Sequence, residues 1–172
     1  ERPGTWFDLA ITRDIRSGAL RYPGPLDAIH AWQDVDTLAT RFVQVAAREK
    51  MLPAFVRFNV EGHTATGTEL LDAVARSTFN LGLTTRLYPL RIKRFPWTML
   101  ILGQWLVRDW RELLELRGLW QQPHVLDGSA LREFLGDEHQ DLESLDAVVQ
   151  RALRRDPRLQ SALIDDTLHS HA

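Results

Sequence analysis

The run Thr66-Gly67-Thr68-Glu69, directly ahead of Leu70, Leu71, Val74 and Ala75, constrains the fold more than any other stretch. A Thr hydroxyl and a Glu carboxylate at this spacing reciprocally satisfy free backbone N–H groups in a capping box, so a helix starts here and runs to about Asn80. Extended patterns flank it. Phe55 to Val60 sets Val56, Phe58 and Val60 on one side, and Arg86 to Ile92 alternates Tyr88, Leu90 and Ile92 with Pro89 and Arg91, the proline favouring a sheet edge. Strand, capped helix and strand in succession point to an α/β fold.

The remaining elements make that fold helix-rich. Phe7, Ile11 and Ile15 have helical spacing, and Gly18 is placed to end their helix in a left-handed cap. Leu20 to Tyr22 reads as a short extended piece, Pro23 to Pro25 as a turn and Ile29 to Val35 as a strand. From Thr37 onward, Leu38, Ala39, Phe42, Val45 and Ala46 share a helical face apart from Arg41, Arg48 and Glu49, up to a break at Pro53. Pro96 opens a long helical region through Leu116, Asp127 to Leu135 is a short helix stopped by Gly136, and Leu142 to Leu153 is another. Residues 1–156 form the expected structured region, with 157–172 a frayed tail.

At 172 residues the chain suits one domain, burying roughly 70% of its unfolded surface. Its net charge of -2 argues against a polyanion partner, and the basic run Arg86 to Arg94 reads as a solvated strand face, so no nucleic acid is expected. The longest apolar run, Trp97 to Val107, falls well short of the ~20 residues of a bilayer helix, so no membrane partner is expected either. There is no cysteine, which removes thiolate metal sites and cysteine nucleophiles and is compatible with the cytoplasm. The chain starts at Glu1 with neither an initiator Met nor a signal-peptide plan and reads as a piece of a longer protein.

Chemistry-bearing motifs are sparse. The histidines at 30, 63, 124, 139, 169 and 171 have no metal-type spacing, and no G-x-S-x-G, P-loop or G-x-G-x-x-G occurs. The tryptophans at 97, 105, 110 and 120 fit core or subunit-interface positions, which leaves a homo-oligomer open. One stretch is richer: RYPGPLDAIHAW, residues 21–32, crowds Arg21, Tyr22, His30 and Trp32 around a rigid turn between two extended segments. Loops at strand ends are where α/β proteins place ligand contacts.

Three segments carry a family resemblance. Asp34-Val35-Asp36-Thr37-Leu38-Ala39 is similar to a strand-to-helix junction of the type H/Y-V-D-D-V-A. Phe58-Asn59-Val60-Glu61-Gly62 is similar to a Y-N-V-G-G strand end, and Val125 to Gly136 to a late D-x-S-K-A-x-x-x-L-G helix. In this order they resemble the C-terminal half of the extended short-chain dehydrogenases/reductases, the NAD-dependent epimerase/dehydratase family that includes nucleotide-sugar epimerases. The stretches from Trp6 to Asp27 and from Arg111 to Trp120 look like a branch of sugar-epimerase-like members, and the resemblance reaches to about Leu153.

The resemblance implies the C-terminal, substrate-side portion of a Rossmann-type enzyme that transfers a hydride with bound NAD or NADP. It places the cofactor glycines and the Tyr-x-x-x-Lys pair in an N-terminal Rossmann half ahead of Glu1. Tyr22 and Tyr88 have no Lys four residues on, so no catalytic residue is expected here and this portion alone would bind no cofactor and be inactive. The expected partners are that Rossmann half and a small-molecule, sugar-like substrate. Its contacts would be Tyr22, His30 and Trp32, with Arg13 and Arg21 as charged candidates. Thr37 stands where the family has its second Asp, and a Thr hydroxyl can also serve as helix N-cap. His30 falls about where nucleotide-sugar epimerases have a diphosphate-binding Arg. An imidazole, largely neutral at pH 7, cannot replace a bidentate guanidinium, which argues against a nucleotide-sugar substrate. The alternative is a non-catalytic interaction module using the tryptophan-rich helix 97–116.

Overall fold

A computed structural model describes residues 5, 7–84, 90–103, 105, 114–136 and 142–160. The fold is mixed α/β and helix-rich. The chain enters through a π-helical turn, Phe7–Ile11, and a 3-10 turn, Ile15–Ser17, where one continuous helix was expected. The Thr12 N–H and hydroxyl both donate to the Phe7 carbonyl, at 2.9 and 3.0 Å, which closes the wider turn. Ile11 and Ile15 still reach the core, and Gly18 takes the left-handed conformation (φ 68°) that ends the segment as its position predicts.

Strand β1, Ala19–Tyr22, follows, then β2, Ile29–Trp32, and helix α1, Val35–Ala46. Val35 thus begins a helix rather than ending a strand. Asp34 is its N-cap, taking hydrogen bonds from the Thr37 N–H and hydroxyl at 3.1 Å each. Thr37 therefore sits two residues inside the helix and donates to the cap instead of being it. The inward face of α1 also differs from expectation: Arg41 is buried, while Val35, Phe42 and Val43 are each about two-thirds exposed. Leu38, Arg41 and Val45 share one side at i, i+3, i+7, which leaves the more apolar side outward.

Residues 55–60 form no strand, contrary to their alternation. Strand β3 is His63–Thr66, which runs directly into α2, Gly67–Asn80, through the predicted capping box: Glu69 N–H donates to Thr66 Oγ1 at 3.2 Å and Thr66 N–H to Glu69 at 2.8 Å. Strand β4 is Arg91–Arg94, later than expected, and residues 85–89, with Pro89, lie outside the described residues. Helix α3 spans Trp97–Gly103, and most of the expected continuation, 104 and 106–113, is likewise outside them. Helices α4, Arg117–Gln121, α5, Ser129–Leu135, and α6, Leu145–Arg155, complete the order.

The strands form two small sheets. β1 pairs with β4 in parallel, Leu20 opposite Ile92, and β2 pairs with β3 antiparallel, Trp32 opposite His63. The core lies where α2 packs on α6 beside β1, with Leu20, Leu70, Val74, Val149 and Leu153 at its centre. Arg76 joins Asp146 across these helices through two hydrogen bonds of 2.9 and 3.0 Å. Residues 157–160 are helical and Leu159 is 2% exposed, so the start of the expected tail is packed; residues 161–172 lie outside the described residues. Arg158 pairs with buried Asp156 at 2.5 Å and donates to Thr12 Oγ1 at 3.2 Å, tying this end to the first turn.

Segment 58–62 docks on 127–134. The Phe58 and Phe134 rings are 5.1 Å apart, Asn59 donates to the Asp127 carbonyl at 3.3 Å, and Glu61 pairs with Arg132. No helix among the described residues is long and apolar enough to cross a membrane.

Candidate functional site

The pleat of a strand sends alternate side chains to opposite faces. In β1 this puts Leu20 and Tyr22 on the core side and Arg21 on the other; in β2 it puts His30 and Trp32 together. The result is an aromatic cluster: Tyr22 lies 6.4 Å from both His30 and Trp32, between ring centroids. Trp120 of α4 fills the middle, 5.7 Å from Tyr22 in edge-on contact, 6.0 Å from His30 and 5.6 Å from Trp32. His124 follows at 4.9 Å from His30, held by its own backbone N–H, which donates to the Ile29 carbonyl at 2.9 Å and extends β2 by one bridge.

The proline turn is built for this approach. A Cβ on Gly24 would stand 2.1 Å from the Trp120 carbonyl oxygen, so only glycine allows the two backbones to meet. The Trp97 indole N–H donates to the Pro23 carbonyl at 2.6 Å and anchors the other side of the turn.

His30 is 2% exposed, and its Nδ1 lies 3.2 Å from the Tyr22 hydroxyl. Burial raises the Tyr22 pKa to about 12, so the phenol keeps its proton. No other acceptor meets that hydroxyl among the described contacts, so Tyr22 donates to Nδ1, which leaves the imidazole proton on Nε2. Burial and the neighbouring His124 hold the His30 pKa below its ordinary value. The nearby carbonyls of Leu119, Ala28 and Gln122 oppose that shift, yet none takes a hydrogen bond of proper geometry from Nε2. The indole Nε1 of Trp32 is also buried without a hydrogen-bond partner among the described residues.

His30, Trp32, Leu116, Leu119, Trp120 and His124 line a cavity of about 210 Å³, while these two nitrogens themselves have essentially no accessible surface. A second pocket, about 410 Å³, opens beyond Trp32 toward α1 and α6. Its wall is mostly apolar but carries ion pairs: Arg151 binds Asp34 at 2.9 Å, Asp36 at 3.4 Å and Glu143, and Arg155 binds Asp36 at 2.5 Å. Burial alone would raise the Asp34 carboxyl pKa, but the Thr37 hydrogen bonds and Arg151 outweigh it and hold the carboxyl below its ordinary range. Burial likewise depresses the His63 imidazole on the same wall, against the pull of Asp34 and Glu143.

Of the five residues expected at a site, Tyr22, His30 and Trp32 come together. Arg13, Arg21 and Tyr22 line neither pocket, and Tyr22 reaches the cluster only through its ring and hydroxyl contacts. Arg21 is bound to Asp14 at 2.8 Å, and Lys93, its neighbour in the β1–β4 pairing, shares that carboxylate at 3.2 Å. Arg13 is exposed on the turn before Ile15. Trp120 and His124 were not foreseen as site residues. Their segment carries no ligand-type spacing, and only its docking against β2 makes them neighbours of His30. No group of three or more His, Asp or Glu side chains suited to a metal ion occurs among the described residues.

No protein-family model matches this chain, and neither curated proteins nor solved structures give a match.

Proposed function

We propose that these residues are the substrate-binding portion of an NAD(P)-dependent sugar epimerase/dehydratase or related oxidoreductase. The observation that carries this is the cavity itself, which the turn-flanking residues His30 and Trp32 line together with Trp120 and His124, while Tyr22 contacts His30 through its hydroxyl. A concave, mostly apolar site with a few polar groups is the usual form of a small-molecule site.

Two features support a Rossmann half as the completing partner. Parallel strands occur almost only in sheets covered on both faces, yet all four residues of β4 are exposed. The outward side of α1 carries Val35, Phe42 and Val43, an apolar face suited to burial against further protein. The Asp34 cap and the contacts between segments 58–62 and 127–134 are what the three resembling segments would need as one packed unit.

The residues present do not fit a dinucleotide. They contain no glycine-rich phosphate turn, and in the larger pocket Asp8, Asp34, Asp36 and Asp156 oppose a pyrophosphate while Arg151 and Arg155 are already paired. The cofactor and the Tyr-x-x-x-Lys chemistry are therefore assigned to the Rossmann half. The role of His30 and Trp32 is to bind and orient substrate and to exclude water. A cytoplasmic location agrees with this reading and with the cysteine-free chain.

The test is the complete gene product. A glycine-rich βαβ unit and Tyr-x-x-x-Lys encoded upstream of Glu1, with NADH or NADPH bound by fluorescence titration, are the expected outcome; absence of both refutes the proposal. His30→Ala and Trp32→Ala should then raise KM or lower kcat while nicotinamide affinity is kept.

A second reading, a non-catalytic interaction module, draws on α3 and Trp105 just beyond it, where Leu102 and Trp105 are 81% and 82% exposed. It predicts that Leu102→Lys abolishes capture of a protein partner and that no nicotinamide binds.

A further inference from the structure

We infer that the free edge of β4 is a docking site for an extended acidic segment of a partner protein, which adds to the β1–β4 pair as a third strand. The inference goes beyond the oxidoreductase reading and does not depend on it.

Backbone geometry is the first argument. The Arg91 N–H donates to the Gly18 carbonyl at 2.9 Å, and β4 runs parallel to β1 from Ala19 opposite Arg91 to Tyr22 opposite Arg94. Backbone groups alternate sides along a strand, so those of Arg91 and Lys93 face β1 while those of Ile92 and Arg94 face away. Among the described residues no other strand pairs with β4, and nothing hydrogen-bonds these outward groups. All four residues of β4 are exposed, so the edge is accessible. A row of unpaired N–H and C=O groups is a template for another strand. Just beyond β4 the Trp97 indole is anchored on the Pro23 carbonyl, so the template is already held and an incoming segment does not bear the cost of ordering it.

Charge selects the occupant. Arg91, Lys93 and Arg94 concentrate positive charge on this short strand, in a chain whose net charge is -2. Asp14 holds Lys93 at 3.2 Å and Arg21 at 2.8 Å, whereas Arg91 and Arg94 have no carboxylate partner among the described residues. Like charges directly opposite one another destabilise a strand pair. A second copy of β4 would set Arg91 against Arg91 in parallel or against Arg94 in antiparallel pairing, so the edge does not pair with itself. An acidic strand meets the same cations favourably.

Side-chain alternation completes the pattern. Arg91 and Lys93 share the face of Arg21, and Ile92, 53% exposed, shares the other with Arg94. The complementary segment therefore carries acidic residues opposite Arg91 and Lys93 and an aliphatic one opposite Ile92. Main-chain hydrogen bonds supply affinity in such strand addition, and alternate side chains supply specificity.

The experiment uses the complete protein and three labelled peptides of about six residues: alternating Glu and Val, alternating Lys and Val, and alternating Glu and Pro, which keeps the acidic charge but cannot form a ladder. Fluorescence polarisation reads binding, and amide hydrogen exchange reads the edge. The Glu–Val peptide is expected to bind and to slow exchange at Ile92 and Arg94, leaving Arg91 and Lys93 as they are. Ile92→Pro removes an outward N–H without touching the bonds to β1 and should weaken binding about tenfold. Arg91→Glu combined with Arg94→Glu should turn the preference toward the Lys–Val peptide. Unchanged protection at Lys93 checks that β4 stays on β1 in each variant, and the three peptides on the unaltered protein decide the matter even if a variant unfolds. No binding of the Glu–Val peptide, equal binding of either control peptide, or binding that leaves Ile92 and Arg94 exchanging freely overturns the inference. So does slow exchange at these two residues without peptide, which would mean that the protein's own chain or a second copy fills the edge.

Discussion

Replacing Gly67 by alanine tests whether the buried ring of Tyr22 is held as tightly as the aromatic cluster requires. Gly67 is the first residue of α2, where alanine is ordinarily the better helix former, and its unfolded-state entropy alone favours the substitution by about 0.4–1 kcal/mol. Here the added Cβ would stand 2.5, 2.7 and 3.0 Å from three ring carbons of Tyr22. Carbon contacts are optimal at about 3.5–4.0 Å, so the overlap is on the order of 1 Å. The ring cannot slide away cheaply, because it is 4% exposed, edge-on to Trp120 and bonded through its hydroxyl to His30. Overpacking of this kind costs about 1–3 kcal/mol, so the clash outweighs the entropy gain and the net effect is about 1–2 kcal/mol destabilising.

Gly118 supplies the control. It is exposed on α4, its φ is not positive, and a Cβ there would meet nothing within 4 Å. Gly118→Ala should therefore stabilise by about 0.4–1 kcal/mol. In a chain of this length 1 kcal/mol moves Tm by about 2–4 °C, so scanning calorimetry should find the two variants displaced in opposite directions. The imidazole resonances of His30 should shift in Gly67→Ala alone. A rise of Tm in both variants, or an unperturbed His30 spectrum in Gly67→Ala, would refute the reasoning.

Other perturbations follow from the same packing. Leu153→Ala, at a side chain with no exposed surface, should cost about 2–5 kcal/mol in denaturant melts, whereas Arg76→Ala, which breaks a half-exposed ion pair, should cost at most about 1 kcal/mol and lose that effect in high salt. Asp34→Ala removes the α1 cap and one of the three carboxylates paired with Arg151, so it should destabilise by about 1–2 kcal/mol, a loss visible as fraying of residues 35–38 in hydrogen exchange. Burial depresses the pKa of His30 and His63 below 6.5, so the unfolded chain binds protons first as pH falls. Stability is complete above about pH 6.5 and declines from there to the folded values, and His30→Gln should flatten this decline in melts at pH 8 to 5.

Local rules carried the reading wherever the bonding partner lies within a few residues. Thr66 and Glu69 meet across one helical turn, and Gly18 has its φ set by its own backbone, so each feature follows from short spacing alone. The alternation at 55–60 failed for the complementary reason. Alternate apolar residues describe a strand only if another strand takes up their backbone groups, and β2 pairs with His63–Thr66 instead, while 58–62 is drawn onto α5 through Phe134 and Arg132. Helix α1 was identified, but its apolar residues surround it, and only its neighbours in space turn Arg41 inward and Phe42 outward.

The candidate site divides the same way. The sequence by itself determined that Tyr22, His30 and Trp32 flank a rigid turn, because PGP leaves the backbone few options there, and it excluded a phosphate cradle and thiolate chemistry by omission of the residues they need. Tertiary structure alone decided that Trp120 and His124 close the cavity, that Arg21 is spent on Asp14, and that two nitrogens are buried without partners. The closing of the cavity depends on contacts between segments some ninety residues apart in the chain, where neither hydrophobic period nor motif spacing carries information and only the packing of α4 and the segment after it against β2 sets the geometry.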